Sequence, residues 1–168
     1  SDIYTMFSAA MIDPLPPKQQ EFLAVMGLAD EFTVEMATKI TGNDHADKLL
    51  TALTEQNAFV KRLPNTAVFR FHHMMKECAE RTFLTLSAEK QRLYRERYGT
   101  WYETHQQYIH ALNAYRASRN DDAALSVIQQ DAGILLASLK PDEILNYLSV
   151  CPASALKRHP LAILVLMR

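Results

Sequence analysis

Glycine is scarce in this chain, at four of 168 residues. Loops that cradle phosphates need several, and neither G-x-x-x-x-G-K-[ST] nor G-x-G-x-x-G occurs, so these residues hold no nucleotide-binding loop. Cysteine is almost as rare. Cys78 and Cys151 stand far apart with no C-x-x-C, which excludes a disulfide framework and a zinc knuckle and makes a reducing cytoplasm the expected compartment. Charge of one sign is also missing, with eighteen Lys and Arg against nineteen Asp and Glu. A formal charge of −1 gives no overall field for nucleic acid or an anionic membrane. Nor is there a long hydrophobic run: the longest, Leu161 to Met167, is seven residues and too short to cross a bilayer. No charged and then apolar leader opens the chain at Ser1-Asp2-Ile3-Tyr4. Because the apolar run meets Arg168 without a cap, the sequence reads as a piece of a longer protein.

What is present is an ordinary globular composition, 48% apolar and 22% charged, sufficient for one mid-sized domain or two small ones. Asp2 can cap a first helix with Ile3, Phe7, Ala10 and Met11 on one face. Asp13-Pro14-Leu15-Pro16-Pro17 ends it, and Pro17 suits the first turn of a second helix carrying Phe22, Leu23 and Met26 inward to Gly27. Thr33 caps a short third helix with Met36, Ala37 and Ile40, closed by Gly42. A fourth follows with Ala46, Leu49, Leu50 and Leu53 at helical spacing, ending near Asn57. The period then changes from 3.6 to 2. Residues 58–63 and 67–71 flank Pro64-Asn65-Thr66 as a hairpin, with Phe69 and Phe71 on one face and Val68 and Arg70 on the other. Helices followed by a two-stranded wing are the order of a winged helix. A helix resumes at His72 with Met75, Cys78, Ala79 and Phe83 inward.

Beyond Ser87 the pattern is helical throughout, with helices expected at about 88–105, 107–118, 121–138, 141–150 and 160–168. Short links make neighbours antiparallel, as in a helical-repeat solenoid of the tetratricopeptide type. The predicted architecture is mainly α: a winged-helix domain over 1–86, then the start of a helical-repeat domain over 87–168.

A winged helix raises the question of DNA, and local charge answers it. Residues 1–86 hold eight Lys and Arg against eleven Asp and Glu, and the would-be recognition helix, 44–56, sets Asp44, Asp47 and Glu55 against Lys48 alone. Phosphates would repel such a helix, so no DNA-binding residue is assigned; the only basic cluster is Lys61, Arg62 and Arg70 on the wing. His72 and His73 are the notable polar pair. They stand where strand becomes helix, beside free N–H groups that favour anions, and an imidazole there can donate to a phosphate oxygen. A histidine that caps the helix or packs in the core explains the same position. His73, Glu77 and Cys78 are too few for a closed metal site, and H-E-x-x-H is absent. No serine lies in G-x-S-x-G, and Asp121-Asp122 and Asp142-Glu143 sit at helix starts where the dipole accounts for them. The tyrosines and Trp101 between 94 and 115 fall at core spacing. No catalytic residue and no enzyme emerges.

The run Val68-Phe69-Arg70-Phe71-His72-His73-Met74-Met75-Lys76-Glu77 resembles the strand-to-helix junction of the large LuxR-type, ATP-dependent transcriptional activators, signal-transducing (STAND) NTPases of the maltose-regulon-activator type. Leu15 to Leu23, Phe32 through Thr41-Gly42 to Leu50, and Tyr98-Gly99-Thr100-Trp101-Tyr102-Glu103 resemble the family's flanking helices and its first sensor helix. The resemblance implies a non-catalytic switch between a nucleotide-binding domain and sensor repeats, taking part in transcription regulation. It implies ATP or ADP as the cofactor of the parent protein, with none bound by this piece alone. The implied ADP phosphate contact is His72, with His73 and Arg70 as alternatives. Implied partners are the nucleotide-binding domain and further helical repeats of the same chain, with self-association, no membrane and no direct contact with nucleic acid. The competing expectation is a stand-alone winged-helix DNA-binding regulator with a helical dimerisation tail.

Overall fold

A computed structural model describes residues 2–56, 59–130 and 141–164, which form two compact units, residues 1–94 and 95–168. Among the described residues no helix is long and apolar enough to cross a membrane.

The first unit opens with α1 (Ile3–Met11), where the carboxylate of Asp2 accepts from the Thr5 N–H at 2.9 Å. That bond, followed by the Arg81 guanidinium, holds the Asp2 carboxyl below the usual carboxylate range. The inward face of α1 differs from the sequence expectation. Ile3 and Ala10 are exposed, while Tyr4, Phe7 and Met11 are half-buried and Ile12 is buried. This helix is apolar nearly all round, so spacing alone allowed two faces. The tertiary partners choose between them: Arg81 lies over the Tyr4 ring, and the Cys78 thiol donates to the Tyr4 carbonyl.

Helix α2 (Pro17–Met26) begins with proline at its first position and is buried over its last five residues. A two-residue strand, β1 (Phe32–Thr33), leads into α3 (Val34–Thr41), capped by Thr33 and closed by Gly42 in the left-handed region at φ 74°. Helix α4 (Ala46–Gln56), β2 (Val60–Arg62) and β3 (Val68–Phe71) follow. The sheet is antiparallel in the order β1-β3-β2, with Phe32 opposite Phe69 and Val60 opposite Phe71. The sequence showed a hairpin; the structure adds β1, which is too short for a two-residue period to appear. The strands are also shorter than expected, and Asn57 and Ala58 lie outside the described residues.

Helix α5 (His73–Phe83) buries Met75, Cys78, Ala79 and Phe83. It packs closely on α2: a Cβ at Gly27 would lie 2.4 Å from that of Ala79. Lys76 closes the end of α2, its ammonium donating to the Gly27 carbonyl at 2.7 Å and the Ala29 carbonyl at 3.3 Å. Helix α6 (Ala88–Thr104) starts in this unit. There Lys90 and the Tyr94 hydroxyl donate to Glu21 at 2.8 and 2.6 Å. Burial pushes the Glu21 carboxyl up, and the two hydrogen bonds outweigh it and hold the group below its usual range.

The second unit takes the rest of α6, then α7 (Tyr108–Ala117), α8 (Asp121–Gln130), α9 (Pro141–Val150), α10 (Ala153–Arg158) and α11 (Leu161–Leu164). Leu112 and Tyr115 of α7, Leu125 and Ile128 of α8, and Ile144 and Leu148 of α9 make its core. Of the helices expected at 121–138 and 160–168, residues 131–138 and 165–168 lie outside the described residues. Residues 153–158, which fall between the expected helices, form α10. Proline at 152 suits a helix start as well as a stop, and Arg158 rewards the helix by pairing through two nitrogens with Asp122 at 2.8 and 3.0 Å. His159 joins them, its Nε2–H donating to Asp122 at 3.0 Å while Nδ1 accepts from Gln129 at 3.1 Å.

Candidate functional site

The wing delivers His72 to the start of α5 with little freedom. Its own N–H donates to the Phe59 carbonyl at 2.7 Å, which closes the mouth of the hairpin. The next residue is helical, so His72 is the cap, with an extended backbone at φ −57° and ψ 147°. Its carbonyl accepts the first helical bond from Lys76 at 2.9 Å. Its ring nitrogen Nδ1 accepts from the Met74 N–H at 3.1 Å. One of the amides that a helix start leaves without an intrahelical acceptor is thereby satisfied.

The cap decides the tautomer. A nitrogen that accepts from an amide carries no proton, so in the neutral ring the hydrogen is on Nε2. Among the described residues nothing accepts it. His72 is exposed, and its ring contacts are Phe59, T-shaped to it at 5.4 Å, and His73 at 4.2 Å. The capping and donating readings of His72 are therefore compatible, since each uses a different nitrogen.

The other residues raised from the sequence separate from it. Arg70 donates to Glu31. Lys61 lies opposite Arg70 across the strands and Arg62 opposite Phe69, so alternation turns these two cations to opposite faces of the wing. Cys78 is fully buried and donates to Tyr4, which removes its thiol from His73 and Glu77. Among the described residues no three His, Cys, Asp or Glu side chains converge as a metal site. The outer face of α4 presents Asp47, Lys48, Thr51, Glu55 and Gln56. A groove of about 740 Å³ lies between α2 and α4, bounded by Lys18, Phe22, Lys48 and Leu49, and none of the residues at the junction lines it.

Topology and junction together are those of a winged helix whose wing runs directly into a further helix. The description "MalT winged helix domain" matches residues 8–93, just over half of the chain. The chain belongs to this family. Searches of curated proteins and of solved structures give no match. The MalT winged helix match spans the three-stranded sheet, both histidines and the first turns of α6. Such a domain is a non-catalytic module of MalT-like LuxR-type STAND regulators.

Two participants were not singled out from the sequence. Phe59 meets His72, and Phe7 of α1 meets Phe59 edge-on at 4.8 Å. Phe7 is recognisable as an apolar helix residue and Phe59 as part of the strand pattern. Neither period signals that they meet.

Proposed function

We propose that this MalT winged helix is the switch of an ATP-dependent LuxR-type regulator, joining the nucleotide-binding domain to the sensor repeats of the same chain. In the resting state His72 would donate from Nε2 to a phosphate of ADP held by that domain, keeping the winged helix closed. ATP and an inducer would favour the open form. The winged helix is then a two-state element biased from both sides. His73, stacked beside His72, is the alternative contact; Arg70 is engaged by Glu31. Leu161, Ile163 and Leu164 are exposed apolar side chains that would pack on further helical repeats or on a second copy. The compartment in this reading is the cytoplasm.

The observation that carries the proposal is the division of labour in the His72 ring. Nδ1 is committed to the Met74 amide, and Nε2–H is exposed as a donor at a helix start that favours anions. The test is His72→Ala in the full-length regulator. A hydrogen bond to a charged group is worth about 1.5–3 kcal/mol. Losing it should raise inducer-independent transcription by about 10- to 150-fold. Basal transcription at the wild-type level would reject His72 as the contact. If His73→Ala is constitutive instead, the role belongs to His73.

A further inference from the structure

Four rings stand in file at the junction, and each comes from a different local context: Phe7 from α1, Phe59 from the approach to β2, His72 from the cap and His73 from α5. Phe7 meets Phe59 with ring centroids 4.8 Å apart and planes at 88°. Phe59 meets His72 at 5.4 Å and 83°. His73 lies 4.2 Å from His72 at 36°.

The cap bond alone would hold an exposed imidazole weakly, because swinging the ring out of its plane releases the Met74 amide to water. The T-shaped contact with Phe59 fixes the plane of the His72 ring, and in that plane Nδ1 reaches the Met74 amide. Phe59 is in turn fixed twice: its carbonyl accepts from the His72 N–H at 2.7 Å, and its ring is packed by Phe7. Phe7 arrives with α1, which is held on α5 by Asp2 with Arg81 at 3.1 Å and by Arg81 over Tyr4 at 4.4 Å.

We propose that Phe59 is the positioning residue for His72, and that Phe7 links it to α1, so that docking of α1 sets the plane and aim of the imidazole and so the strength of its bond to Met74. The consequence for phosphate rests on the function proposed above, whereas the ring file can be measured without it.

Nitrogen-15 NMR of the histidine rings in the 168-residue chain tests the proposal. Wild type should show His72 with Nδ1 unprotonated and Nε2 protonated. Phe59→Leu should shift the balance of ring states by about 2- to 12-fold, the worth of one edge-on ring contact. Phe59→Tyr, which keeps the ring, should restore the wild-type signals, and His105 and His110 in the other unit should not move. If Phe59→Leu does not fold, Phe7→Leu serves in its place and should move the His72 signals in the same direction by less. His72 signals unchanged in a folded Phe59→Leu or Phe7→Leu protein would overturn the proposal, as would failure of Phe59→Tyr to rescue.

In the full-length regulator, Phe59→Leu should raise basal transcription less than His72→Ala does, and Phe59→Tyr should leave it low. Ring signals that move while His72→Ala stays silent would sink the phosphate reading and leave the positioning role standing. A constitutive His72→Ala with immobile ring signals would do the reverse.

Discussion

A Cβ at Gly27 would lie 2.4 Å from the Cβ of Ala79 and 3.2 Å from the Leu23 carbonyl oxygen, so α2 and α5 touch where both side chains are minimal. Backbone freedom is not what glycine supplies here, because φ is −65°. The constraint is space. Gly27→Ala should cost about 1–3 kcal/mol, the range for overpacking a filled core. Adding Ala79→Gly should recover part of that loss, and urea unfolding of the single and double variants measures both. The sequence showed Gly27 as a helix end and Ala79 as an inward residue, and nothing in one dimension says that they meet. His72 behaved differently. Its position between a strand and a helix was legible from the change of period, and so was the choice between cap and anion donor. What could not be read was that the ring performs the first role with Nδ1 and leaves Nε2 for the second. That follows from a contact with Met74 two residues on and a ring, Phe59, thirteen positions back.

Helices α6 and α7 meet through a similar fit with a polar end. The Tyr115 ring lies where a Cβ on Gly99 would be, at 2.5 Å, and its hydroxyl donates to Glu103 at 2.7 Å with Thr100 at 3.4 Å. Burial first, then the Glu103 carboxylate, push the Tyr115 phenol up to about 12. An unfolded tyrosine titrates near about 10. The folded protein therefore keeps this proton over a range in which the unfolded chain has lost it. The stability so contributed is fully present below about pH 10 and disappears as pH rises through about 12. Tyr147, buried and bonded to Asp121 at 2.9 Å, is shifted in the same direction. Helicity of the second unit should fall over that alkaline window, and Tyr115→Phe should flatten its onset; an unaltered alkaline profile in Tyr115→Phe would remove Tyr115 from the account. Most elements were legible because caps and breakers announce them: Asp2, Pro17, Thr33 and Gly42 each stand where the structure uses them. The exceptions have physical reasons. A nearly all-apolar α1 does not declare its face, two residues of β1 cannot show a period, and Pro152 starts α10 between two expected helices.

On the scale of the molecule, the question is whether a winged helix with this surface can hold DNA. Non-specific affinity comes mostly from neutralised phosphates, and each lost contact lowers both affinity and its salt dependence. The helix that would enter the groove, α4, exposes Asp47 and Glu55 beside Lys48. Of the three cations on the wing, Arg70 is paired with Glu31, and alternation sends Lys61 and Arg62 to opposite faces. Lys76 is turned inward onto the carbonyls ending α2. Arg70 and Lys76 are thus spent on the domain's own carboxylates and carbonyls, which leaves Lys61 and Arg62 as the exposed cations of the wing. A random-sequence duplex should show no sub-micromolar binding to this chain at about 150 mM salt in a gel shift. The double charge reversal Lys61→Glu and Arg62→Glu should leave that result unchanged. Tight binding that the reversal abolishes would place the wing on DNA. The switch reading would then yield to a winged-helix regulator that touches its operator directly, with the helical second unit as its dimerisation tail.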